Sequence, residues 1–214
     1  MEISEIYSSY HYSIFIEEGK YHKSPKTEAA YERLKNSFVT IQKVKHPCID
    51  TPDLINQEFV GLYCQEIFNE IKNYELKNFI LTLCEVVKYL HDLDIYALDL
   101  KPDHIRNNEN KIFLIDWYEK SFGAQWGDPH RLFNNGAPTK SEDIYAIGNL
   151  IYFYITGKHP FYSNNPLQSL YMMRKSKPQL TYSPYDNIIQ KCLSKNPRDR
   201  YLDINELIKE IKEA

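Results

Sequence analysis

The sequence predicts an α+β fold in which a small strand-rich part precedes a larger helical one. Three observations carry this expectation. Residues 5–23, as in IYSSYHYSIFIEEGKYHK, alternate apolar and polar side chains with the period of two that a half-exposed strand requires. LKNFILTLCEVVKYLH (76–91) and DINELIKEIKEA (203–214) repeat apolar residues at helical spacing. SEDIYAIGNLIYFYITG (141–157) is apolar nearly all round, as a buried helix is.

The elements follow in order. Glu18-Gly19 marks a turn within the first antiparallel sheet. Ser24-Pro25 has the form of an N-cap followed by a proline at the first helical position. A helix is expected from there to about Val44, with Ala30, Leu34, Phe38 and Ile41 on its apolar face. HPCIDTPDL (46–54) is turn-like, and NQEFVGLYCQE (56–66) is one further strand. From Leu76 onward the chain is helical with short breaks.

Composition sets the outer bounds. At 214 residues, 43% hydrophobic and 26% charged, the chain suits one domain with a buried core. The formal net charge of -3 argues against a protein that coats nucleic acid. No apolar run approaches the roughly eighteen residues of a membrane span. The start, MEISEIYSSY, is acidic and polar where a signal peptide is basic and then apolar, so a cytoplasmic location is expected. Cys48, Cys64, Cys84 and Cys192 are widely spaced and form no C-x-x-C pair, which fits reduced thiols. Only seven residues are glycine, whereas eighteen are tyrosine.

The chemistry concentrates in IYALDLKPDHIRNNENKIFLIDWYEK (95–120). Asp99 is followed after two residues by Lys101, after five by His104 and after seventeen by Asp116. The polar turn Asn107 to Asn110 and the apolar strand Ile112 to Ile115 would fold Asp116 back beside the Asp99 loop. Phosphoryl transfer needs such a cluster. One carboxylate orients and deprotonates the attacking hydroxyl, and others hold a divalent metal against the phosphates.

On these residues the chain resembles the protein-kinase-like superfamily. YLHDLDIYALDLKPDHI is similar to the stretch that enters the kinase catalytic loop, H-R-D-L-K-P-x-N-I. LIDWYEK resembles the D-F-G strand, SEDIYAIGNLIYFYITGKHPF the buried helix after the activation segment, and NPRDRY the late arginine motif. HPCI resembles the turn after the first helix, and FVGLYCQE the strand leading to the adenine-binding hinge. The matches keep their order over about residues 25 to 210. The resemblance implies one bilobal domain, with a reduced β-rich N-lobe and hinge strand over about 1–66 and a helical C-lobe over about 67–214. It implies ATP with Mg or Mn. Asp99 would be the catalytic base, Lys101 the phosphate-facing lysine, and Asp116 the metal carboxylate. Tyr63 and Cys64 would lie on the hinge against the nucleotide, and Asp143 would brace the catalytic loop.

The departures are specific. Ala97 and Leu98 stand where the family has His-Arg, so a phosphorylated activation loop lacks its docking arginine. His130 stands at the glutamate of A-P-E, and the ion pair to Arg200 is expected to be lost or weakened. His104 replaces the metal-binding asparagine, either as a ligand better suited to Mn²⁺ than to Mg²⁺ or as an exposed loop histidine. DHI followed by LIDWYEKS is also similar to the bacterial lipopolysaccharide-core sugar kinases. Residues 1–24 hold one glycine, Gly19, so no G-x-G-x-x-G loop exists to cradle phosphates. Lys20, Lys23 and Lys26 are candidates for the ATP-contacting strand lysine, with Lys23 favoured. Glu28 and Glu32 lie early on the following helix, whereas the usual glutamate position falls near Ser37.

Two functions are therefore expected to compete. One is a minimal kinase that moves the γ-phosphate of ATP to a hydroxyl, on protein Ser/Thr or alternatively on a sugar. The other is a pseudokinase that binds nucleotide or a regulatory protein partner. Neither implies nucleic acid, and the oligomeric state is open.

Overall fold

The computed structural model describes residues 4–66, 73–96, 98–108, 111–118, 126–134 and 138–214. Ala97, Ser121, Asn110 and the Glu119-Lys120 pair lie outside these residues. The alternating front of the chain forms strands β1 (Ser4–Ser8), β2 (Tyr12–Glu17) and β3 (Lys20–Pro25). Helix α1 (Glu28–Ile41) follows, then β4 (Asp53–Ile55) and β5 (Glu58–Leu62). The five strands make one antiparallel sheet in the order β1-β2-β3-β5-β4.

Two boundaries differ from the sequence expectation. Pro25 closes β3 opposite Tyr12 and does not open the helix. The N-cap is Thr27, whose side chain accepts from the Ala30 N–H at 3.2 Å. Helix α1 ends at Ile41 and packs Ala30, Leu34 and Ile41 inward, each at most 2% exposed. The turn-like 46–54 also does more than turn. Ile49 bridges to Leu114 across the two parts of the chain, and Asp53 opens β4.

The segment 56–66 is two strands in two sheets. After β5, residues Tyr63 and Cys64 cross to β6 (Gln65–Glu66), which pairs with β7 (Ile105–Asn108). Strand β7 pairs in turn with β8 (Lys111–Leu114). The sequence over 56–66 did not show this break, because the apolar run FVGLYC continues through it.

The helical part is built on α2 (Asn73–Asp92) and α4 (Lys140–Thr156). Along α2, Leu76, Ile80, Leu83, Val87 and Leu90 recur at three or four residues and are buried. Eleven consecutive residues of α4, from Glu142 to Tyr152, are buried, as its apolar sequence requires. The short α3 (Pro129–Asn134), then α5 (Pro166–Lys175), α6 (Asp186–Cys192) and α7 (Ile204–Glu213), complete the fold. Gly148 on α4 meets α6 where the chains nearly touch; a Cβ there would lie 2.6 Å from the Cβ of Cys192. All four cysteines are free thiols. No helix among the described residues is long and apolar enough to cross a membrane.

The ion pair of Arg200 corrects a sequence expectation. Asp128, two residues before the exposed His130, receives the guanidinium in a bidentate pair at 2.6 and 2.9 Å. Arg200 also donates to the carbonyls of Ser141 and Ser194 and lies over the Tyr145 ring. The carboxylate has moved along the chain, and the pair is intact with side chains 0% and 2% exposed. Removing one partner of a buried pair strands the other charge, at about 3–5 kcal/mol. Asp128→Ala is expected to lose that much in urea unfolding, and His130→Ala within about 0.5 kcal/mol of nothing. A larger loss at His130 than at Asp128 would refute the assignment.

Candidate active site

The loop around Asp99 is held from beneath. Leu98 and Leu100 are buried at 6% and 2% exposure, so the extended backbone turns Asp99 and Lys101 the other way. The Leu100 N–H donates to the Leu98 carbonyl at 2.8 Å, a three-residue turn with Asp99 at its apex. Asp143, 0% exposed on α4, accepts from the Leu98 N–H at 2.8 Å and pairs with His91 Nε2 at 2.9 Å. A buried carboxylate that binds loop backbone fixes the apex without taking part in it.

One turn of 3-10 helix, Pro102–His104, then brings His104 back to Asp99. Its Nδ1 lies 2.8 Å from the Asp99 carbonyl oxygen, which can only accept, so Nδ1 carries the proton. Burial holds the imidazole below its ordinary pKa despite the nearby carboxylates, which keeps the Nε2 lone pair available. That nitrogen faces Asp116 Oδ2 at 3.9 Å.

Asp116 arrives at the end of β8. The Ile115 N–H donates to the His104 carbonyl at 2.9 Å, and Asp116 itself takes a left-handed conformation with φ of 49°. Aspartate tolerates this conformation better than most residues, and here it ends the strand and aims the carboxylate at the loop. Trp117, 1% exposed, anchors the turn by donating Nε1–H to the Asp50 carbonyl at 2.7 Å. The Tyr118 hydroxyl donates to Asp116 Oδ1 at 3.1 Å.

The sheet contributes Lys23. It lies in β3, 4% exposed, with Nζ 3.0 Å from Asp116 Oδ1 and 4.9 Å from the centre of the Tyr12 ring. Burial alone would push the Asp116 pKa up. The charges of Lys23 and His104, with hydrogen bonds from Lys23 and Tyr118, overcome this and hold the carboxyl well below the usual range. Lys101 lies 2.9 Å from Asp99 Oδ2. Asp99, Lys101, His104, Asp116 and Lys23 therefore meet in one place.

The other candidates sit as follows. Lys20 is exposed, and Lys26 holds Ser8 Oγ and the Ser9 carbonyl at 2.6 and 2.9 Å. Glu32 pairs with Lys35 on the helix surface at 3.3 Å. Tyr63 is 40% exposed, and its N–H donates to the Gly19 carbonyl at 3.1 Å; Cys64 is 7% exposed. Both lie on the crossing between the two sheets.

Two residues of the site escaped the sequence. Tyr21 shares the Lys23 face of β3, and its hydroxyl donates to Asp50 Oδ2. Asp50 is 2% exposed; burial raises its pKa to about 7, against the Tyr21 hydrogen bond and the Lys23 charge and with help from Asp116. The signal for Tyr21 was available, since alternation puts it on the same face as Lys23. Asp50 looked like a turn residue after HPCI.

A protein kinase domain model matches residues 54–211. The chain belongs to the protein kinase family, and its small antiparallel sheet and helical part are the two lobes of that fold. Lys23 lies ahead of the matched residues. The chain is 26% identical over 159 residues to the "Probable myosin light chain kinase" of Dictyostelium discoideum, covering 65% of this chain and 32% of that protein. It is 22% identical over 192 residues to the ovarian-specific serine/threonine-protein kinase Lok of Drosophila melanogaster, covering 75% and 40%. A third relative, cAMP-dependent protein kinase catalytic subunit 3 of the same fly, is 25% identical over 158 residues, covering 63% and 27%. The chain thus spans about a quarter to two fifths of these relatives' lengths.

The raised pKa of Asp50 gives stability a pH dependence. The folded carboxyl keeps its proton up to about 7, while an unfolded one releases it near ~4. The folded state binds more protons between these values, so this group costs stability as pH rises through the window, at most about 4 kcal/mol. Asp50→Asn keeps an acceptor for Tyr21 and removes the charge. Urea midpoints measured below and above the window should show a smaller fall for Asp50→Asn than for the wild type; an identical fall would rule the assignment out.

Proposed function

We propose that this chain is a kinase catalytic domain that transfers the γ-phosphate of ATP to a hydroxyl of serine or threonine in a protein, in the cytoplasm. The observation that carries the reading is the convergence of Asp99 and Asp116 on either side of His104, with Lys23 of the sheet on Asp116. Asp99 at the loop apex orients the acceptor hydroxyl and takes its proton as the new O–P bond forms and the bond to the leaving diphosphate breaks. Lys101 offsets negative charge on the phosphoryl oxygens, and Lys23 on those left behind.

Asp116 Oδ2 and His104 Nε2 are two lone-pair donors 3.9 Å apart, a pair suited to sharing a cation. Among the described residues no cluster of three or more His, Cys, Asp or Glu would hold a metal unaided. The donor set therefore fits a divalent ion that takes its remaining ligands from phosphate and water. When bound, that ion would neutralise charge on the phosphates; Tyr63 and Cys64 would border the base.

One observation favours binding without transfer. Strands β1 and β2 are joined by residues 9–11 alone, tied down by Lys26, with no glycine to let backbone approach phosphate.

The test is transfer of labelled phosphate from ATP to protein, Ser/Thr-peptide and sugar acceptors with Mg²⁺ or Mn²⁺. Asp99→Ala and Asp116→Ala should each reduce transfer by about a hundredfold or more. Transfer that survives in both variants would overturn the mechanism, and ATP binding without transfer in the wild type would establish the pseudokinase. His104→Asn replaces a nitrogen ligand by oxygen, so transfer with Mg²⁺ should rise relative to transfer with Mn²⁺. An unchanged metal preference would remove His104 from the ligand set.

A further inference from the structure

Tyr21 has a partner in Gly61 that the nucleotide reading does not use. The two face each other across β3 and β5, and a Cβ on Gly61 would lie 2.5 to 2.8 Å from three atoms at the hydroxyl end of the Tyr21 ring. The ring therefore occupies the space that any side chain at position 61 would need. Its hydroxyl reaches Asp50, which is buried, donates its N–H to the Leu114 carbonyl and accepts the Trp117 Nε1–H at its own carbonyl.

The position matters because of what lies on each side. Two residues beyond Gly61 the chain enters the Tyr63–Cys64 crossing. On the other side, two residues beyond Tyr21, Lys23 meets Asp116. Tyr21 thus stands between the crossing and the phosphate-facing charges, on the sheet face that carries Lys23.

We propose that Tyr21 closes the deep end of the base pocket in place of the side chain that Gly61 lacks, and so sets the largest base substituent the pocket accepts. The inference rests on the reading of Lys23 and Asp116 as the ATP-contacting pair. It makes Tyr21 a specificity-determining residue supplied by β3, where the neighbouring strand carries only hydrogen.

The experiment titrates the chain with ATP and with an ATP derivative bearing a benzyl group on the exocyclic amine, by calorimetry with Mn²⁺ present. The wild type and Tyr21→Phe should bind ATP and reject the derivative by at least about tenfold, while Tyr21→Ala binds both to within a few-fold. Tyr21→Ala combined with Gly61→Met returns a side chain from the other strand and should restore rejection. If Tyr21→Ala alone fails to fold, Tyr21→Leu, which keeps apolar volume but not the reach of the ring, takes its place and should accept the derivative better than the wild type does. An equal preference in the wild type and the folded variants would overturn the inference while leaving ATP binding intact. Absence of ATP binding in the wild type would overturn the underlying reading, and the inference with it.

Discussion

Lys23 and Asp116 come from opposite ends of the chain's architecture, one from the middle of the sheet and one from the strand end beneath it, and they meet 3.0 Å apart with side chains only 5% and 22% exposed. Taking either charge out of water alone would cost several kcal/mol. The pair is therefore a constraint on everything that carries it. Strand β3 must keep its register with β2 and β5 so that Lys23 faces down. Strand β8 must end at Leu114, two residues before the left-handed Asp116. Tyr12 and Tyr118 supply ring faces that accept the ammonium where water cannot. The attraction also holds the sheet against the helical part at the place where transfer chemistry would occur.

The loop around Asp99 meets the same demand by other means. Asp143 binds the Leu98 backbone from inside α4, a helix so apolar that a carboxylate in it has to find hydrogen bonds within the protein. The arginine that the family carries before this aspartate would bring a further charge into this region. Leu98 instead is buried, and only its backbone N–H is used. The loop is thus fixed by packing and backbone bonding, which do not depend on a modified activation segment.

Legibility in the sequence followed the range of the interactions. The strand alternation, the helix periodicities and the spacing of Asp99, Lys101, His104 and Asp116 are local patterns, and the elements and the cluster they implied are present. Boundaries set by competition between elements were not local. Pro25 follows a good N-cap residue yet belongs to β3, because pairing with Tyr12 holds it extended and Thr27 caps the helix instead. Residues 56–66 read as one strand because a continuous apolar run says nothing about which sheet each half joins. Asp128 is hidden for the same reason. The motif puts the carboxylate at position 130, whereas Arg200 needs only a carboxylate within reach of its buried guanidinium, and the turn before α3 delivers one two residues earlier.

The scarcity of glycine has a second meaning beside the short β1–β2 turn. At Gly61 the missing side chain is matched by an unusually large one across the sheet, so the volume is conserved while its source changes strands. Close packing explains why this exchange is stable: a void the size of a side chain would cost several kcal/mol, whereas a ring from the neighbouring strand fills it and finds a hydrogen-bond partner for its hydroxyl. The cost falls on Asp50, whose carboxyl burial holds largely protonated at moderately acid pH against the pull of the Tyr21 hydrogen bond. Strand β5 taken alone carries only hydrogen at position 61. Across β3 and β5 together the space is filled.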